Sequence, residues 1–165
     1  MFDVKIINNL KAQDDNLSAI FAALKTLENT EVLIGIPEDD NARKEGDTIN
    51  NAKLLYIHTH GSAVRNIPPR PVIEPAIEDD STIIGDLMGQ AAKAALDGNE
   101  QGAMDALKKA GMRGQNTARD WFTNPKNNWA ANQPETIKRK GSEKPLIDTG
   151  ELRKSITYVI REKKS

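Results

Sequence analysis

The sequence predicts a small α+β fold: a mostly antiparallel sheet packed against helices, with an extended proline-rich arm. Three observations lead there. Apolar residues recur at every second position at residues 2–6, 32–36 and 156–160, the period of a strand with one buried face. Other stretches carry apolar residues every three or four positions, the period of a helix. Pro68, Pro69, Pro71 and Pro75 fall close together, removing four backbone donors and holding the chain near polyproline geometry.

Taken in order, Phe2, Val4 and Ile6 alternate with Asp3 and Lys5 as a first strand. Asp15 or Asn16 then caps a helix with Leu17, Ile20, Phe21, Leu24 and Leu27 on one stripe. EVLIGIP forms a second strand, with Val32, Ile34 and Ile36 on one face, Gly35 opposite and Pro37 as its stop. Residues 38–47, EDDNARKEGD, have no apolar position beyond Ala42 and read as an exposed loop. Asp47 is placed to cap a second helix carrying Ile49, Ala52, Leu55, Tyr56 and Thr59, with Gly61 as its terminator. After the prolines, a third helix opens near Asp80 or Ser81. It carries Ile84, Leu87, Met88, Ala91 and Ala95 and breaks at DGNE, residues 97–100. A fourth covers residues 100–122 on a stripe of Met104, Leu107, Gly111, Gly114, Ala118 and Trp121. Each stripe glycine costs about 1 kcal/mol of helix propensity against alanine. Close approach of another backbone, or a helix kink, would account for them.

Residues 124–144 are loop-like and hold an isolated Trp129, either an anchor for a partner or a side chain folded back on its own domain. Pro134 suits the first position of a short helix over Glu135, Thr136 and Ile137. The chain closes with PLIDTGELRKSITYVIR. Asp148 or Thr149 is placed to cap a short helix, with Glu151 as the capping-box partner. In the strand that follows, Ile156, Tyr158 and Ile160 share one face and Thr157, Val159 and Arg161 the other. The expected organisation is one domain over residues 1–165, with extended segments at about 61–78 and 124–147.

Composition narrows the chemistry. Only 38% of residues are hydrophobic and 4% aromatic, against 28% charged, so the core is lean and neighbours could supply part of the order. The net charge of −1 gives no overall basic character to recommend nucleic acid, although residues 135–165 are net basic. With no cysteine, disulfides and thiolate metal sites are excluded. No apolar run has the length of a signal peptide or a membrane span, so the expectation is a protein made and folded in a cytoplasm, without a membrane partner.

Two segments carry a family resemblance. HTHG at 58–61 leads into NIPPRPVIEPAI; a long helical region follows, then TIKRKG and PLIDTGELRKSITYVI. In content and order this resembles the neck, head–tail connector and tail-completion proteins of tailed bacteriophages, over residues 32–160. Thr59 and His60 depart from the family, where an acidic residue and an aromatic are common at these places. The resemblance implies a structural virion protein at the head–tail junction, with no cofactor and no catalytic residue, assembled in the bacterial host cytoplasm. It would form a homo-oligomeric ring, a hexamer favoured over a dodecamer, between portal-side or adaptor proteins and tail proteins, with DNA passing nearby in the channel. The expected interface residues are Asn66, Ile67, Pro68, Pro69, Arg70 and Pro71 of the arm, Trp129, and Thr149, Gly150, Glu151, Leu152 and Arg153.

Two other classes remain to be weighed. His58 and His60 with Glu74 or Asp79 could serve a metal-dependent hydrolase, although no characteristic ligand spacing is present. The acidic runs at 38–40 and 78–80 could hold Mg²⁺ for a nuclease, although adjacent acids are more often solvated. Lys138, Arg139 and Lys140 form a basic cluster that could meet DNA phosphates. No P-loop, HExxH, GxGxxG or GxSxG occurs.

Overall fold

The computed structural model describes residues 4–37 and 49–163, with side chains from residue 15 onward. The expected exposed loop at 38–47, with its acidic run Glu38, Asp39 and Asp40 and the proposed cap Asp47, lies outside the described residues, as does Phe2. In chain order the elements are α1 (Val4–Glu28), β1 (Thr30–Gly35), α2 (Asn51–His60), α3 (Ile73–Asp79), α4 (Ser81–Leu96), α5 (Glu100–Asp120), α6 (Pro134–Lys140), α7 (Glu151–Ser155) and β2 (Thr157–Glu162). Two short 3-10 turns, Trp121–Thr123 and Pro125–Asn127, follow α5. The fold is α+β, helices with a small two-stranded antiparallel sheet. The Lys163 amide donates to the Asn29 carbonyl at 2.7 Å, and Arg161 Nε to Glu31 at 2.8 Å, which places the end of β2 beside the start of β1.

The expected N-terminal strand is corrected. Val4 and Ile6 are helical, and Asp15 and Asn16 lie inside α1. A three-residue alternation is a weak signal. No proline or glycine interrupts residues 4–28, and extending an existing helix costs far less than nucleating one. A second correction concerns the stripe on α1: Leu17 and Phe21 are exposed, Phe21 at 69%, while the small Ala23 is buried.

The described chain divides into two compact units, and the division runs through α5 and both strands. In the first, which includes α1, Thr82–Ala110 and the end of β2, Ala23, Ala95 and Ala103 form one buried cluster, with Leu24 and Leu27 against it. A second cluster joins Ala91, Ala106 and Leu107 to Val32 and Ile160. Gly98, at φ +70°, makes the turn between α4 and α5, as the DGNE break requires.

The second unit, Leu33–Ser81 with Gly111–Val159, has the larger core. Leu55, Val72, Ala76, Ala118, Trp121, Phe122, Leu152 and Ile156 are buried together, with Ile34 and Ile36 packed against them. The faces read from both strands therefore hold: Ile34 packs inward and Leu33 is exposed; Ile156 is fully buried and Val159 exposed. The stripe glycines of α5 are explained by side chains rather than by a second backbone. A Cβ at Gly111 would run into the Tyr158 ring, and one at Gly114 into the ends of Ile34 and Ile77.

Candidate functional site

The site is built entirely within the second unit, starting from the end of α2. Asn50, rather than the expected Asp47, caps this helix, its side chain accepting from the Lys53 amide at 2.8 Å. Gly61 ends it at φ +72°, where a Cβ would meet the Ile67 carbonyl and the Pro69 nitrogen at 2.8 Å, so only glycine fits. The chain then folds into a tight turn closed by paired backbone bonds between Ser62 and Ile67, 2.8 and 2.9 Å. Val64 at its tip is 99% exposed, and Asn66 takes the left-handed conformation that asparagine tolerates, φ 52°.

From Pro68 to Val72 the backbone forms no helix or strand, as the prolines demand. The expected extension to Pro75 and beyond is corrected, because Ile73–Asp79 is helical. Pro75 falls in the first turn of α3, where an amide has no intrahelical partner to lose. The arm lies on its own domain. The Arg70 amide donates to the His58 carbonyl at 2.6 Å, and Val72 is fully buried. Trp129 folds back as well: its Nε1 donates to the Pro71 carbonyl at 3.1 Å, and its ring meets Phe122 edge-on at 5.9 Å. Arg70 is only 6% exposed, and its guanidinium donates to the carbonyls of Ala130 (2.8 and 3.2 Å) and Ala131 (3.2 Å).

The far wall comes from the C-terminal segment. The expected capping box is corrected: α7 starts at Glu151, too close to Asp148 for that motif, and its N-cap is Gly150 at φ +80° without a side-chain bond. Thr149 Oγ1 accepts only a long 3.4 Å bond from the Glu151 amide. Leu152 enters the core, while Arg153 turns away to donate to the Arg119 carbonyl (2.7 Å) and Asp120 (3.0 Å) at the end of α5. Arg119 returns the contact to the carbonyls of Ile156 (2.8 Å) and Lys154 (2.9 Å). Pro134 opens α6 as expected, and Lys138, Arg139 and Lys140 occupy its last turn, which the helix dipole favours.

These pieces surround an open cleft of about 600 Å³. Of the residues singled out from the sequence, Asn66, Ile67, Pro68 and Arg70 line one side and Thr149, Gly150, Glu151 and Leu152 the other. Pro69, Pro71, Trp129 and Arg153 are not in the lining. Sequence reasoning missed Leu54, Arg65, Asn132 and Leu146, and it did not connect Arg139 and Lys140 with the arm. An arginine inside a run of prolines, with no acid beside it in sequence, was the available signal.

The cleft carries charges of both signs. Arg65, Arg70, Arg139 and Lys140 line it, opposed by Glu135, Asp148 and Glu151. Among the described residues no carboxylate reaches ion-pair distance of any of these four cations. Burial lowers the pKa of Arg70. Burial, then the charges of Arg70 and Arg139, hold Lys140 below its ordinary value, against the opposing pull of Asp148. His58, also in the wall, is held below its ordinary value by burial, Arg70 and Lys140, and among the described residues its buried Nδ1 has no hydrogen-bond partner.

His58 and His60 both sit in the last turn of α2, two positions apart on a helix, so their rings diverge. The His60 ring stacks near Tyr56 at 4.1 Å, with Nδ1 2.9 Å from the Tyr56 carbonyl. Asp79 is engaged by Lys126 at 2.6 Å. Among the described residues no group of three or more histidines and acids is placed to hold a metal ion. Comparison with known proteins returned no matching family model, curated protein or solved structure.

Proposed function

We propose that this protein is a structural subunit of the bacteriophage head–tail junction, a neck or tail-completion ring component that joins the portal side to the tail. One observation supports this reading above the rest. The two segments that carry the resemblance, the proline arm and the 149–152 turn, are far apart in sequence yet line a single cleft. Residues held in common for an assembly surface would be expected to converge in this way. Identical subunits closing a ring would cover the same patch on each copy.

The test is electron microscopy of particles made with and without this chain. Its absence should leave DNA-filled heads and separate tails that do not join. The purified protein, alone or with portal-side proteins, should form closed rings. Complete, infectious particles without the chain would overturn the proposal. A metal-dependent hydrolytic activity that a chelator abolishes would favour the enzyme instead.

A further inference from the structure

We propose that the cleft between the proline arm and the 149–152 turn binds an extended, carboxylate-bearing peptide segment of a neighbouring protein, with Arg139 and Lys140 receiving the carboxylate above the buried charge of Arg70. The inference deepens the connector reading by naming what a neighbour inserts, and it rests on that reading only for the source of the segment.

Charge carries the argument. A buried guanidinium is ordinarily matched by a carboxylate, because a charge taken out of water is heavily penalised unless a counter-charge compensates. Arg70 is 6% exposed, and among the described residues its hydrogen bonds go to neutral backbone carbonyls alone. It shares the cleft with Arg65, Arg139 and Lys140, and the acids of the same lining, Glu135, Asp148 and Glu151, stay beyond ion-pair distance of all four cations among the described residues. Among the described residues, Lys140 Nζ donates only to the Lys144 carbonyl, at 3.0 Å. Burial first, and then the neighbouring cations, lower the proton affinity of His58 and Lys140, with Asp148 pulling the other way on Lys140. An anion entering the cleft offsets the contribution of the cations.

The size and remaining lining identify the kind of anion. About 600 Å³ lies in the range of clefts that hold ligands of many atoms, well beyond a lone oxyanion. Leu54, Ile67, Pro68, Leu146 and Leu152 supply apolar surface beside the charges. An acidic residue flanked by apolar ones satisfies both. The arm has already ordered itself on its own domain, so the receiving wall is formed before the segment arrives and little ordering cost falls on binding.

The experiment is fluorescence anisotropy on the full chain, with a labelled hexapeptide alternating leucine and glutamate, the same peptide with glutamine for glutamate, inorganic phosphate, and a single-stranded oligonucleotide as competitors. The glutamate peptide should bind at least about tenfold more tightly than the glutamine peptide, a modest demand for a desolvated charge pair. Arg139→Gln with Lys140→Gln, changes near the surface that spare the core, should remove that preference while circular dichroism stays unchanged. Restoring cations with Arg139→Lys in the Lys140 background should retain it. Equal affinity for the two peptides, or no binding of either, overturns the proposal. So does phosphate or the oligonucleotide displacing the peptide at equal concentration, since the site would then be a simple anion or nucleic-acid site. If peptide binding fails while particles still need the chain, the cleft assignment falls and the connector reading stands; binding by a chain that particles do not need gives the reverse.

Discussion

Asp80 shows how much one carboxylate can fasten. It is buried just ahead of α4, where Arg113 grips both of its oxygens, Nη2 at 2.7 Å and Nε closer still, and Thr117 Oγ1 donates at 2.8 Å. The hydrogen bonds from Arg113, opposed by burial and helped by Thr117, hold its pKa below the ordinary carboxylate value. A depressed folded-state pKa stabilises the protein fully above the unfolded value, about 3.9, and the stabilisation is lost as pH falls through the lower folded value. Asp80→Asn should therefore cost about 1–3 kcal/mol at pH 7, and the difference from the parent should shrink below pH 4 in urea titrations. His58 acts in the opposite pH range. Held below its ordinary value in the fold, it binds its proton more readily when unfolded, so stability declines as pH falls below about 6.5. His58→Gln should flatten that decline between pH 7 and 5.

At the scale of elements, the glycines of α5 separate two costs. Gly111→Ala gains about 1 kcal/mol in helix propensity but drives a methyl into the Tyr158 ring, which the strand holds in place. Overpacking of this kind costs about 1–3 kcal/mol, so the variant should be neutral to clearly destabilised. Gly114→Ala meets the terminal methyls of Ile34 and Ile77, which can rotate away. Thermal melts should rank Gly114→Ala above Gly111→Ala; the reverse order would mean that Tyr158 is the more mobile neighbour. The same packing makes Tyr158→Asp damaging, because the ring is lost from the face it shares with Ile156 and a carboxylate is forced against α5. Its melting temperature should drop by several degrees. Trp129 links two further elements. Trp129→Phe keeps the edge contact with Phe122 but loses the bond to Pro71, at a cost of about 0.5–1.5 kcal/mol. Trp129→Ala loses both, and it should expose the 66–72 segment to faster hydrogen exchange.

For the whole molecule, the prediction concerns joining. Pro68→Gly with Pro69→Gly should leave the subunit folded, since neither residue belongs to the buried core. The arm becomes more flexible in the free chain, and under the proposed connector reading each copy in the ring then has extra conformational freedom to lose on assembly. Counts of joined against separate heads and tails should fall for this variant, with little change in the subunit's own melting curve. Unaltered joining would remove the arm from the proposed interface.

How much of this could be read from the chain depended on whether the signal was local. Local chemistry determined α5, whose stripe from Met104 to Trp121 is long and uninterrupted, and β2, whose alternation matches its burial. It also determined the stop at Gly61 and the start of α6 at Pro134, because positive φ and a missing donor are properties of single residues. The N-terminal strand failed on the same ground: period two over three residues cannot outweigh a long stretch without helix breakers. The cap of α7 failed because backbone geometry at Gly150 replaced the expected side-chain bond. Only the tertiary structure decided where Arg70 and Trp129 go, since their partners at Ala130, Ala131 and Pro71 lie about sixty residues away along the chain. It alone brought the arm to the 149–152 turn and left four cations around one cleft. The reason is physical: propensity and period act between neighbours in sequence, whereas desolvation and Coulomb repulsion act between neighbours in space.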